Sequence, residues 1–141
     1  MSRKLIFRLF LIVLFLGLAA CSGGNQGASG PVDVKITANE FSFQSSLTTF
    51  KVGVPYHFEV TNEGQVAHEI MLVKPIPAGT MDMEAMDAMA LAHISEEELT
   101  PGTTKSFDYT FTEAAPAGQL EFSCHVPGHY EAGMKLPITV Q

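Results

Sequence analysis

The sequence predicts an all-β domain, an antiparallel sandwich or barrel of short strands with one helical excursion between two of them. Three observations predict it. Apolar residues recur at every second position in several separate runs, and turn residues divide the runs. One Met- and Ala-rich stretch then breaks the series. Side chains along a strand point alternately to opposite faces, so such a run has one core face and one wet face. Val32, Val34 and Ile36 alternate with Asp33, Lys35 and Thr37. Tyr56, Phe58 and Val60 alternate with His57, Glu59 and Thr61. Phe107, Tyr109 and Phe111 alternate with Asp108, Thr110 and Thr112, while Leu120, Phe122 and Cys124 share a face, and Leu136–Val140 is the last strand. Asn62-Glu63-Gly64 and Pro116-Ala117-Gly118 are predicted to be turns between strands.

The excursion covers residues 80–94. Asp82–His93 has no β-branched residue and is rich in Met and Ala, which predicts a helix. Thr80 is its expected N-cap, and Asp82 and Glu84 in the first turn complement the helix dipole.

The N-terminus follows a different logic. Arg3, Lys4 and Arg8 precede an apolar run, Leu9–Leu18, which ends in Ala19-Ala20-Cys21. A basic start, a short apolar run and small residues before a cut predict an export signal over residues 1–20. The run is shorter than the ~20 residues of a membrane-spanning helix. Leu18-Ala19-Ala20-Cys21 is similar to the bacterial lipobox, in which the cysteine is lipidated and becomes the first mature residue; an ordinary signal peptide is the alternative. Residues 21–31 then read as a lipidated Cys21 and a flexible Gly/Ser tether, with a root-mean-square span of ~15–18 Å. Residues 32–141 suffice for one domain.

Charge and cysteine usage narrow the function. The full chain carries 8 Lys+Arg against 15 Asp+Glu, a net charge of −7. Without Arg3, Lys4 and Arg8 the mature chain keeps five lysines against the same 15 acids, which is −10. Nucleic acid is excluded as a partner, because its phosphates require Lys/Arg clusters. A redox partner with a basic docking face fits, since charge chiefly steers encounter. With Cys21 consumed by lipid, Cys124 is left alone in an oxidising compartment where thiols are normally paired. A solitary thiol there is buried, protected or bound to a metal.

Cys124-His125-Val126-Pro127-Gly128-His129-Tyr130-Glu131-Ala132-Gly133-Met134 contains Cys-x4-His-x4-Met at a strand end and in the loop that follows. Thiolate and imidazole suit both copper oxidation states, and a thioether adds a weak axial bond. A fourth donor is expected upstream, at the end of a strand beside the Cys strand, and His68 precedes the apolar run Ile70–Val73. Residue types, order, spacing and the unexplained thiol together point to copper.

On these residues the chain from about Val32 to Val140 resembles the cupredoxin family of small blue copper proteins. Its loop spacing is similar to that of the rusticyanin and auracyanin branch. The resemblance implies a Greek-key β-sandwich, one-electron transfer and a single type 1 copper cycling between Cu(I) and Cu(II). It implies His68, Cys124 and His129 as equatorial ligands and Met134 as the axial one. Two departures stand out. Glu69 follows the first histidine, where the family usually places a loop-pinning Asn or Ser. His125 follows the cysteine as in multicopper oxidases, but the sequence has no His-x-His pair for a trinuclear cluster, so His125 is expected to be a surface residue near the site.

Two readings of the helix stay open. Met86, Met89 and His93 fall within about 60° of one another on a helix. That face either packs on the sandwich, since Met fills irregular gaps, or belongs to a second, thioether-based Cu(I) site of Met83, Met86, Met89 and His93. The function classes that follow are a lipid-anchored, monomeric electron carrier facing the periplasm or cell exterior, and a copper-handling protein for binding, resistance or delivery. A cupredoxin-fold module without metal is the third. An enzyme is not expected, because one copper with four protein ligands has no open position for substrate.

Overall fold

The computed structural model describes residues 30–76 and 82–141. The signal, Cys21, the tether up to residue 29, Thr80 and Met81 lie outside the described residues. In chain order the elements are β1 (Val32–Asn39), β2 (Ser42–Ser45), β3 (Thr49–Phe50), β4 (Pro55–Asn62) and β5 (Ile70–Val73). They continue with α1 (Met83–Asp87), β6 (Ala92–Ile94), β7 (Thr104–Thr110), β8 (Ala115–Ser123) and β9 (Lys135–Val140). A four-stranded sheet, β2-β1-β4-β7, faces a five-stranded sheet, β3-β9-β8-β5-β6, to form a Greek-key β-sandwich.

The runs of β1 and β4 bury one face each, as expected, with Val34, Ile36, Tyr56, Phe58 and Val60 in the shared core, whereas Glu121 and Ser123 are buried along with Leu120, Phe122 and Cys124. Phe50 is at its centre. Its ring meets those of Tyr56, Phe58, Phe111 and Phe122 at centroid distances of 5.0–6.4 Å, within the range where aromatic pairs attract.

Three local expectations need correction. The sheets are mixed, not purely antiparallel, because β1 pairs with β4 and β3 pairs with β9 in parallel. Between β1 and β4 the chain crosses to the other sheet at β3, and it re-enters beside β1 running the same way. Alternation carries no information about that direction. Pro116-Ala117-Gly118 lies within β8, at a register irregularity between Ala115 and Leu120 where Gly118 takes φ 83°, and does not divide two strands.

The helix, expected over Asp82–His93, is only Met83–Asp87, little more than one turn. Asp82 caps it by accepting the Ala85 N–H at 2.8 Å. Beyond it Leu91 N–H bonds to Leu72 C=O at 2.8 Å, and residues 92–94 pair with β5. The open edge of β5 offers unpaired backbone groups, and Ile94 gains a place in the core. Tertiary pairing there overrides a weak local propensity. On the outer face of the five-stranded sheet, Met71, Val73, Ile76 and Met86 make a second, smaller apolar cluster. Among the described residues no helix is long and apolar enough to cross a membrane.

Candidate metal centre

The site forms where β5 and β8, hydrogen-bonded neighbours, end at the same edge of the sandwich. His68 sits two residues before β5, and Cys124 immediately follows β8. The loop to β9 turns back on itself through His129 N–H to Val126 C=O and Met134 N–H to His129 C=O, at 2.9 and 3.0 Å. Its neck is closed by Cys124 N–H donating to Met134 C=O at 3.1 Å. Gly128 and Gly133 supply the positive φ values, 88° and 102°, that a tight loop needs.

Within this frame His68 Nδ1 lies 3.2 Å from His129 Nδ1, and Cys124 Sγ lies 3.3 Å from the same nitrogen. All three donor atoms are within 4.8 Å of one another and all three residues are buried. Bonds of about 2.0 Å to nitrogen and 2.3 Å to sulfur separate the donors on a tetrahedral ion by roughly 3.3–3.6 Å, so the observed spacings fit a single ion. Sulfur with two imidazoles is a donor set for a soft or borderline metal. Met134 is fully buried and is backbone-bonded to both Cys124 and His129. The structure thus gathers the donor atoms of His68, Cys124 and His129, and the backbone bonds of Met134 place it in the same loop.

Burial favours the neutral forms of Cys124 and His68, so a bound metal has to displace the thiol proton. Burial pushes the Cys124 thiol up to about 11, opposed by N–H groups of Glu69 and Val126 that meet its sulfur. Burial, and then the neighbouring His129, lowers the pKa of His68, so its imidazole is neutral and free to donate to a metal.

Glu69 does what the Asn or Ser of other family members is expected to do. Its backbone N–H meets the Cys124 sulfur, and its buried carboxylate accepts the His125 N–H at 2.5 Å. A carboxylate is a stronger acceptor than an amide or hydroxyl, so the departure at this position keeps the loop pinned. His125 is buried, not at the surface, because its ring stacks on Tyr130 at 4.5 Å and its Nε2 lies 3.1 Å from Ser123 Oγ. Tyr130 O–H in turn donates to the buried Glu121 at 2.8 Å.

Three neighbours escape notice in the sequence. Glu40, in the β1–β2 turn, accepts the N–H groups of Gln65 and Val66 and lies 3.9 Å from His68 Nε2. Phe41 sets its ring edge-on to His129 at 4.9 Å. Asn62, fully buried at the end of β4, donates to Val66 C=O and Leu99 C=O at 2.8 and 2.9 Å and accepts from Gly64 N–H. An apolar residue in a polar turn is the one trace Phe41 leaves in the sequence.

The Met/His face does not form. Met86 packs with Met71, Val73 and Ile76, whereas Met89 is half-exposed beside Val73, Lys74 and Leu91. His93 belongs to β6, which removes it from the helical face, and it turns toward Glu69 and Asp87. The side chain of Met83 lies outside the described residues.

Comparison with known proteins agrees with this geometry. Residues 31–141 match the family described as copper binding proteins, plastocyanin/azurin family. The copper-resistant cuproprotein CopI of Rubrivivax gelatinosus is 29% identical over 108 residues, covering 75% of this chain. The chain spans 64% of that protein's length, just under two thirds. The CopI of Pseudomonas aeruginosa is 26% identical over 147 residues, covering 82% of this chain and 80% of its own. Auracyanin B superposes with a TM-score of 0.60 at 22% identity, over 80% of this chain and 91% of its own, and attests to the fold. The family match runs through every strand of both sheets and the loop where the donors meet; copper is therefore the cofactor, and the chain belongs to the plastocyanin/azurin family of copper-binding proteins.

Proposed function

We propose that this protein is an exported one-electron carrier whose single copper is held by His68, Cys124 and His129, with Met134 as the axial ligand. The observation that carries the reading is the convergence of His68 Nδ1, His129 Nδ1 and Cys124 Sγ in a buried pocket fixed by backbone hydrogen bonds. A donor frame held by the fold moves little between Cu(I) and Cu(II), which keeps the reorganisation cost of electron transfer low. His129 is 8% exposed while His68 and Cys124 are fully buried, so its ring edge, beside the exposed Phe41, is the natural entry for electrons. Four protein donors leave no open position for a substrate, which argues for a carrier and against an enzyme. Residues 1–20 direct export, lipid on Cys21 tethers the monomer to a membrane facing the periplasm or cell exterior, and the acidic domain docks on a basic redox partner.

The test is a Cu(II) titration of the purified protein followed in the visible. An intense blue thiolate-to-copper band that saturates at one equivalent and vanishes in Cys124→Ala is expected. A band unchanged by Cys124→Ala would sink the assignment.

A second reading, copper handling for resistance, is favoured by one observation: both curated relatives bear the name copper-resistant cuproprotein. The two readings separate on physiology. A carrier has a reversible potential, and its loss slows electron flow at low copper. A handler releases its ion readily, and its loss sensitises cells to added copper alone.

A further inference from the structure

The outer face of the five-stranded sheet holds a second group of donor atoms that the copper centre leaves unused. Glu69 is 2% exposed. Its Oε1 takes the His125 N–H, and its Oε2 lies 3.5 Å from His93 Nε2. His93 stands on β6, opposite Met71 of β5. Asp87, the last residue of α1, lies on the side of the other ring nitrogen, its Oδ1 3.7 Å from His93 Nδ1. One donor atom from each of the three residues lies within 4.8 Å of the other two.

Two features distinguish this from an ordinary ion pair. His93 Nε2 is buried and has no hydrogen-bond partner among the described residues, although buried polar atoms are normally paired. Its separation from Glu69 Oε2 exceeds the usual N–H···O distance of about 2.7–3.2 Å. The gap is instead near the roughly 3.3 Å that separates two donors on one ion with bonds of about 2.0–2.1 Å. An imidazole nitrogen and a carboxylate oxygen are donors that accept divalent transition ions, with Cu(II) bound most tightly, and a carboxylate on the other ring nitrogen is the usual partner of a metal-bound histidine.

We propose that Glu69 Oε2 and His93 Nε2 hold a divalent transition ion, with Cu(II) preferred, while Asp87 accepts the other ring N–H to orient the imidazole and water completes the coordination. It differs in donors and in oxidation state from a thioether Cu(I) site. Glu69 joins the two centres, since its N–H meets the Cys124 sulfur while its carboxylate faces the second ion. The competing state is metal-free, with His93 as an imidazolium between the two carboxylates.

The purified protein is titrated with Cu(II) past one equivalent, with visible absorption and electron paramagnetic resonance recorded together. Only the first site has a thiolate, so the blue band reads that site alone and also reports that each variant has folded. The second equivalent is expected to add a paramagnetic signal with the wide hyperfine splitting of nitrogen/oxygen coordination and no further blue absorption. His93→Gln and Asp87→Asn should each weaken that second equivalent by about 10-fold or more while the blue band stays. Binding that stops at one equivalent overturns the proposal, as does a second equivalent indifferent to His93→Gln. A second equivalent lost in His57→Gln assigns the ion to the exposed His57/Asp108 pair and equally overturns it. If no blue band forms yet an ion still binds through His93, the first reading fails and this one stands.

Discussion

At the scale of single residues, Glu69 has the largest influence on the copper loop without being an expected ligand. It is a buried carboxylate whose acceptor oxygen is committed to the His125 amide. Glu69→Ala strands that amide and should cost about 1–3 kcal/mol. Glu69→Gln keeps an acceptor and should cost less; urea unfolding of the metal-free protein measures both. His57 offers a cleaner electrostatic test, far from the copper. Its Nδ1 lies 2.6 Å from Asp108 Oδ1 at the surface, and that hydrogen bond raises its pKa above the ordinary 6.5. A raised folded-state pKa means the increment of stability is complete below the unfolded value and is lost as pH rises through the folded one. In Asp108→Asn the His57 imidazole should titrate lower by NMR, and the pH dependence of unfolding above 6.5 should flatten. The residues of the proposed copper site were legible in the sequence because three lie within one loop, where spacing alone fixes their order, and His68 heads the strand beside the Cys strand. Glu40 and Phe41 were not, since they reach the site by a turn folded over from the far sheet, and no local pattern records such a contact.

At the scale of elements, the connection from β4 to β5 determines where His68 stands. Asn62 ties its two ends together, bonding to Val66 within it and to Leu99 across from it, while His68 N–H also bonds to Leu99 C=O at 3.2 Å. Asn62→Ala removes three hydrogen bonds at once, two of them buried. A loss of about 2–4 kcal/mol is expected, with weaker copper binding because His68 loses its anchor; calorimetry of the metal-free and copper-loaded forms reads both effects. β1, β4, β7 and β8 were legible from alternation, which needs no knowledge of the partner strand, whereas the short β2, β3 and β6 carry no such pattern. The length of α1 was not. Met and Ala favour helix locally, but residues 92–94 gain more from the free edge of β5 than from continuing the helix. His93 changes neighbours as a result, from methionines to carboxylates.

For the whole molecule, the two sheets are held together by aromatic packing around Phe50. Phe50→Ala should cost about 3–5 kcal/mol by the loss of burial and the cavity left behind. The copper donors lie in a different part of the sandwich, so the visible spectrum of the folded variant should keep its shape while its thermal midpoint falls. Which sheet each strand joins, and in which direction, could not be read beforehand, because β3 leaves one sheet and β4 returns to it through contacts distant in sequence.

The position of β9 has a bearing on how such a chain is made. This strand follows every other strand in synthesis, yet it lies between β3 and β8 in the interior of its sheet. Until residues 135–140 have emerged, β3 and β8 have no neighbour on that side, and the loop that carries Cys124 and His129 has no far end. Until then the nascent polypeptide has neither a finished sandwich nor a complete cage to capture a metal ion prematurely. Completion of the sheet and of the metal cage is therefore a single event, the arrival of β9.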